Sequence, residues 1–336
     1  MLIPALLIFL ASVVLTGLIR RYALSQQVLD IPNQRSSHTT PTARGGGLAI
    51  VLSFLAALIW LTITHDLPGA WVVGLGAPLL VAVIGFCDDH AHVPARWRLL
   101  THFAAALLAL YCLNAIPLDV SGLTPFAQLS WAGVALFTLL LVWLLNLFNF
   151  MDGIDGIAGS EALFVAWGLA GFLYSIDHNL SLAAVALGLA SAGFLVWNWP
   201  PAKIFMGDVG SGFLGLLLGI LILMAARQTP VLLFCGLILF GVFAVDASYT
   251  LLVRIATGQV WYAAHCSHAY QRAARHYGHL KVLIACWLIN LCWLLPIAAL
   301  VFLQPVYAWL GLLISYAPLL ALAYFFKAGQ IPHNSL

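Results

Sequence analysis

Charge is what this chain lacks. Only 7% of its 336 residues are Asp, Glu, Lys or Arg, where soluble domains carry about 25%, and 63% are hydrophobic. That balance excludes a soluble globular domain and defines a polytopic membrane protein. Cysteine is also scarce. The six, at positions 87, 112, 235, 266, 286 and 292, form no Cys-x-x-Cys pair and mostly lie inside apolar runs. They read as small buried hydrophobes rather than as disulfide partners or zinc ligands. Heptads, low-complexity tracts and a clear internal repeat are absent, so residues 1–336 are taken as one membrane domain, with no nucleic-acid partner. No basic segment precedes the first apolar run, and no small-residue cleavage site follows it; Arg20 and Arg21 come after it. The chain therefore begins with an uncleaved span.

What is abundant is apolar sequence. Runs cover residues 2–19, 47–64, 71–86, 99–113, 131–150, 163–176, 180–197, 210–226, 230–253, 282–301 and 306–326, which predicts an all-α fold of eleven transmembrane helices. The runs starting at Leu99 and Leu163 are shorter than the roughly 17–25 residues a span needs, so they must borrow flanking residues. Twelve of the thirteen basic residues fall on one side of this arrangement, leaving Arg227 opposite. The positive-inside bias predicts a periplasmic N-terminus, a cytoplasmic C-terminus and cytoplasmic loops at 20–46, 87–98, 149–161, 198–212 and 254–281.

The few polar residues concentrate in those loops. Asn146-Leu-Phe-Asn-Phe-Met-Asp-Gly-Ile-Asp-Gly-Ile-Ala158 closes the fifth run. At helical spacing Asn146, Asn149 and Asp152 share one face, with Asp155 three residues further on. Two amides and two carboxylates converge where Gly153 and Gly156 lower helix propensity and let a ligand approach the backbone. A polar helix end capped by Asn and Asp accounts for one such residue and poorly for four.

The remaining loops carry individually weaker signals. In the first, Arg35, His38, Thr42 and Arg44 are candidate anion donors, and Gly45 to Gly47 open the second helix; a plain basic juxtamembrane loop is the alternative. Asp88 and Asp89 end the third run and point about 100° apart on a helix, so one can meet a metal while the other meets an Arg, a proton or a positioning donor. Arg96 and Arg98 follow as phosphate or headgroup contacts, or as ordinary surface charge. Glu161 opens the sixth run as a capping acid. In Phe205-Met-Gly-Asp208-Val-Gly-Ser-Gly212 a carboxylate opens a helix between glycines, a setting for a divalent cation bridging to phosphate. Phe205 is placed to stack on a base or to sit at the membrane interface. Asp246 lies deep in the ninth run, either functional or satisfied by a neighbouring hydroxyl. His265, His268, Arg272, Arg275 or His276, and His279 form one stripe if the last loop is helical. Substrate or metal contact is assigned to the first pair and lipid contact to the later ones, against a basic amphipathic helix lying on lipid.

With Asn-x-x-Asn-x-x-Asp-Gly-x-Asp-Gly and Phe-Met-Gly-Asp-x-Gly-Ser in one chain, the sequence closely resembles the polyprenyl-phosphate N-acetylhexosamine-1-phosphate transferases over essentially its whole length. This group includes the phospho-MurNAc-pentapeptide translocase of peptidoglycan synthesis. The resemblance implies transfer of a sugar 1-phosphate from a UDP-N-acetyl sugar to undecaprenyl phosphate, with Mg2+ or Mn2+, releasing UMP on the cytoplasmic face of a bacterial inner membrane. It also implies roles: Asp88 and Asp89 near the lipid phosphate, Asp208 as metal ligand, Asn149, Asp152 and Asp155 on the nucleotide side, Phe205 beside uracil. Asn146, Arg35, His38, Thr42 and Arg272 join the substrate-binding set, and Asp155, His265 and His268 the catalytic one. Two departures stand out. The family's basic position after Asp-Asp is His90 or His92 here, and His265-x-x-His268 differs from the clustered histidines of the peptidoglycan branch. The latter looks more like the O-antigen and exopolysaccharide initiating enzymes. A homodimer is compatible with the sequence and not demanded by it.

A secondary transporter with ion-coupling acids is the reading from another class, but its acids belong near the midplane. Here only Asp246 is deep. A CDP-alcohol phosphotransferase is disfavoured by the absence of the Asp-Gly-x-x-Ala-Arg pattern that resemblance to that family requires.

Overall fold

A computed structural model describes residues 2–32, 40–91, 93–113, 130–260 and 265–331. Apolar side chains leave the backbone no partner in lipid except itself, and the runs accordingly close their hydrogen bonds as helices. These are α1 (Leu2–Ser25), α2 (Gly47–His65), α3 (Gly69–Gly76), α4 (Pro78–His90), α5 (Ala95–Cys112), α6 (Ser130–Met151), α7 (Ile157–Leu173), α8 (His178–Asn198), α9 (Asp208–Gln228), α10 (Val231–Leu239), α11 (Gly241–Ala256), α12 (Ala269–Tyr277), α13 (His279–Ile289), α14 (Leu295–Leu303) and α15 (Ala308–Phe325). A π-helical turn, Asn290–Leu294, joins α13 to α14.

Each of the eleven apolar runs carries a helix or a helix pair. Among the described residues eight are long and apolar enough to cross a membrane, and α10 with α11, bent by 74°, makes a ninth if counted as one broken span. The two short runs do borrow residues. α5 starts at Ala95 and takes in Arg96 and Arg98, and α7 starts at Ile157. That earlier start corrects the reading of Glu161, which is no cap: it lies inside α7, buried, and accepts from Asn290 Nδ2 at 2.8 Å. The cysteines are unpaired, but only Cys235 is buried; Cys87 and Cys292 are exposed and the other three half-buried.

The core is built on α9, buried along its length and packed by α4 and α6. Close approach of the helices around it needs bare backbone. A Cβ on Gly47 would collide with the Gly210 backbone, so the starts of α2 and α9 lie side by side. The loop before α2 is fixed to the loop before α9 by main chain. Strand β1 (Leu29–Asp30) pairs antiparallel with β2 (Thr42–Ala43), Ala43 bridges to Ile204, and Gly46 and Gly47 donate to the carbonyls of Phe205 and Met206 at 2.9 Å. One end of the bundle therefore gathers the start of α2, the end of α4 and the start of α9.

Candidate active site

The acids and bases meet at that junction. Gly207, with φ of 76°, turns the chain so that Asp208 opens α9 as the sequence indicated. The helix N-terminus is capped by another acid. Asp89 Oδ1 accepts from Asp208 N at 3.0 Å and its Oδ2 from Val209 N at 3.2 Å, which satisfies two of the donors a helix start leaves unpaired. Asp88 and Asp89 do face different ways. Asp88 Oδ1 accepts from Val93 N at 2.8 Å, while its Oδ2 pairs with Arg98 Nη1 at 2.8 Å.

Two arginines tie the three acids together. Arg44 reaches Asp89 Oδ1 through Nε at 2.8 Å and Asp208 Oδ1 through Nη2 at 2.7 Å. Arg98 Nη1 reaches Asp208 Oδ2 at 2.9 Å as well as Asp88. Burial works against the Arg44 charge, but Asp89 and then Asp208 outweigh it and raise its pKa. Arg44 is one of four anion-donor candidates in its loop, and Arg98 reads from sequence as a phosphate or headgroup contact or as ordinary surface charge. Their pairing spans 164 and 110 residues of sequence, which no local pattern reveals.

Beside this cluster α6 ends at Met151, and residues 152–156 form the break expected from its glycines. Asn149 Nδ2 donates to Ser211 Oγ on α9 at 2.9 Å. Asn146 Nδ2 donates to the Val142 carbonyl, one turn back in its own helix, at 2.7 Å. Asp152 is pushed up to about 7, chiefly by burial; Arg44 opposes the shift, and Asp208, Asp89 and Asp155 add to it. Asp155 Oδ2 accepts from Ala202 N at 3.0 Å, and its Oδ1 lies 3.2 Å from His279 Nδ1. His279 was expected on lipid; it faces Asp155 because Gly278, with φ of 82°, ends α12 and starts α13 there.

The proposed histidine stripe is not one helix. His265 and His268 precede α12, and only Arg272, Arg275 and His276 lie on it. Asp246 organises this start. Its Oδ1 accepts from Ala269 N at 2.9 Å and lies 3.3 Å from His268 Nδ1, and its Oδ2 accepts from Tyr270 N at 2.9 Å. The deep acid is thus a cap for α12. His265 stacks on His268 at 4.9 Å between ring centres, and both rings lie 6.4 Å from that of Phe150. Burial, then His268 and Arg254, hold His265 down at about 3, so it is neutral at physiological pH. Tyr270 Oη donates to the Phe150 carbonyl at 3.0 Å, which fixes the histidine loop to the end of α6.

Three further candidates make contacts within the protein. Thr42 is buried in β2, its hydroxyl donating to the Thr40 carbonyl at 3.0 Å. Arg272 is tied to the Gln330 carbonyl, on the chain's tail. His90 turns its Nδ1 to the Phe86 carbonyl at 2.9 Å. Arg35, His38 and His92 lie outside the described residues. Phe205 lies half-buried, its N–H donating to the Ala43 carbonyl and its carbonyl accepting from Gly46 N.

An all-α membrane bundle with an acid-rich, arginine-bridged cluster at one end defines a class: a polytopic membrane protein with a charged site where its helix ends meet. The comparisons with known proteins are specific. A family model described as glycosyl transferase family 4 matches residues 71–226. The chain is 30% identical over 315 residues to the probable undecaprenyl-phosphate N-acetylglucosaminyl 1-phosphate transferase of Bacillus subtilis, covering 91% of this chain and 86% of that protein. It is 30% identical over 222 residues to the decaprenyl-phosphate N-acetylglucosaminephosphotransferase of Mycolicibacterium smegmatis, and 33% over 229 residues to that of Mycobacterium leprae. Those matches cover 61% and 60% of this chain and 55% and 56% of the relatives. The chain belongs to glycosyl transferase family 4, among the polyprenyl-phosphate N-acetylhexosamine-1-phosphate transferases.

Proposed function

We propose that the protein transfers an N-acetylhexosamine 1-phosphate from its UDP donor to undecaprenyl phosphate, releasing UMP at the cytoplasmic face of a bacterial inner membrane. The observation that carries this reading is the junction of Asp88, Asp89 and Asp208 with Arg44 and Arg98 at one end of an apolar bundle. Joining two phosphate-bearing partners there requires cationic groups for phosphate, acids for a metal and an apolar wall for the isoprenoid. A cleft of about 580 Å³ between α11, α12, α13 and α15 supplies such a wall, lined by Val242, Val282, Leu319 and Phe326 and reaching Asp246 and Tyr270.

Magnesium, or manganese, fits the oxygen donors present. Among the described residues no three acids, histidines or cysteines form a metal cage. Magnesium does not require one, since it is commonly held by one or two carboxylates plus substrate phosphate. Asp208 would hold it, with Asn149 as a neighbouring hydrogen-bonding group. When bound, the ion supplies charge neutralisation at the diphosphate and stabilises departing UMP.

The chain's own residues do the rest. Asp89 fixes the α9 start by accepting the Asp208 and Val209 N–H groups, and the Asp208 carboxyl faces Arg44 and Arg98. Arg44 and Arg98 neutralise phosphate oxygens. Asp152, Asp155 and Phe205 face the nucleotide, and His265, as a neutral imidazole, hydrogen-bonds the donor. An ion-coupled transporter finds no support, because Asp246, the deep acid such a mechanism needs, is consumed in capping α12. The experiment is direct: purified protein with Mg2+, undecaprenyl phosphate and a panel of UDP-N-acetyl sugars should release UMP with one or more of them. Failure with every donor defeats the proposal.

A further inference from the structure

The Asp208 carboxylate lies between two guanidinium groups. Its two oxygens are held by two different guanidinium groups, Arg44 Nη2 on Oδ1 at 2.7 Å and Arg98 Nη1 on Oδ2 at 2.9 Å. Guanidinium groups hold phosphate oxygens with the same geometry and strength as carboxylate oxygens. Each arginine also has an anchor of its own. Arg44 Nε stays on Asp89, whose side chain is fully enclosed, and Arg98 stays on Asp88. Releasing Asp208 would therefore leave both arginines in place, their freed N–H groups directed at one point between α2, α4 and α9.

The charges make the same case. Three carboxylates against two guanidiniums leave the cluster about one charge negative when all are ionised, so an incoming diphosphate is repelled. Occupation of Asp208 by a divalent cation reverses that sign and withdraws the carboxylate from the arginines at the same time.

We propose that Arg44 and Arg98 form a two-guanidinium clamp for a phosphate of the substrate, and that Asp208 holds the clamp closed as a carboxylate stand-in until a cation claims it. The consequence is ordered binding, cation before diphosphate. This rests on the phosphotransferase reading but is tested apart from it, because the probe is inorganic pyrophosphate and the readout is binding, not turnover.

The full-length protein in detergent is titrated with pyrophosphate in EDTA. Asp208→Asn, although inactive, should bind pyrophosphate about tenfold tighter than the wild type, because the clamp loses its internal competitor. Adding Arg44→Gln or Arg98→Gln to that variant should abolish the gain. Asp152→Asn, which removes an acid close enough to act on the same arginine, should give far less. Unchanged or weaker binding by Asp208→Asn overturns the proposal, and so does an equal gain in Asp152→Asn, which would show a general field effect. Asp208→Ser serves as the second neutral variant. If neither purifies folded, the wild type decides: Mg2+ should tighten pyrophosphate binding about tenfold, Arg44→Gln should remove that gain, and its absence in the wild type overturns the proposal. Absence of UMP release with every donor would defeat the functional reading and leave these outcomes intact.

Discussion

Asp89 caps the helix that Asp208 begins, accepting its backbone N–H at 3.0 Å and that of Val209 at 3.2 Å. The first of these acids therefore sets the position of the second. Asp89→Ala leaves two donors and one face of Arg44 unpaired in an enclosed setting, and should cost on the order of 3 kcal/mol of stability. Asp89→Asn keeps one acceptor and should cost about 1 kcal/mol. Both should lower activity. Apparent melting temperatures in detergent check this, and an Asp89→Ala protein that melts like the wild type would remove the capping role.

Asp152 should make metal binding pH-dependent. Its pKa is pushed up to about 7, above the ordinary carboxylate value near 3.9, so its protonated form favours the folded, metal-free protein. That contribution is full below the unfolded value and is lost as pH rises through about 7. A cation in the neighbouring cluster favours the ionised form, so the sign for binding is opposite: Mg2+ should bind more tightly as pH rises. About tenfold between pH 6 and 8 is expected for one proton displaced. Isothermal titration at the two pH values measures it, and Asp152→Asn should reduce the dependence to what Asp89 contributes, whose carboxyl burial pushes up to about 6.

His279 belongs with Asp155 rather than with the membrane surface. Its Nδ1 lies 3.2 Å from the Asp155 carboxylate, and α13 starts at that histidine. In detergent, His279→Ala should lower turnover as Asp155→Asn does, while Arg275→Ala, whose side chain is exposed, should stay near wild type. The Asp155–His279 double variant should lose less than the sum of the single losses, with a coupling of about 1 kcal/mol. Additive losses would leave the two residues independent.

Legibility in the sequence followed the range of the interaction. The helices could be read because lipid leaves an apolar run little alternative, and the break after Met151 could be read because Gly153 and Gly156 sit inside it. The opening of α9 by Asp208 was equally local. What could not be read depends on which helix ends meet. Arg44 and Arg98 could be read equally as anion contacts or as ordinary surface charge; the meeting of the segment before α2 with the starts of α5 and α9 brings them onto one carboxylate. The histidine stripe failed for both reasons: Asp246, 23 residues away on α11, caps α12 at Ala269, and Gly278 ends it locally. Glu161 was misread because α7 begins four residues earlier, which carries the acid inside to meet Asn290.

Orientation can be tested independently of chemistry. Arg44, Arg98 and Asp208 meet at one end of the bundle. Twelve of thirteen basic residues share the side assigned to that end. Reporters fused after Arg44, Arg98, Lys203 and Arg272 should all report cytoplasm. A periplasmic signal from any of them would break the single active face.

The reaction should proceed by direct attack of the lipid phosphate on the sugar-linked phosphorus, without a phosphosugar-enzyme intermediate. A covalent route needs an aspartate free to act as nucleophile. Asp89 accepts two backbone N–H groups and a guanidinium with its side chain fully enclosed, and Asp88 is held by Val93 N and Arg98. Those contacts lower the nucleophilicity of both carboxylates. The acceptor needs no such help, since a phosphate monoester has a second pKa near 6 and is mostly dianionic at neutral pH. Asp88 can then orient the acceptor or take its residual proton. With UDP-sugar and Mg2+ but no lipid acceptor, direct attack gives no stoichiometric burst of UMP and no sugar label on the protein. A rapidly trapped labelled enzyme that disappears in Asp88→Asn would establish the covalent route instead.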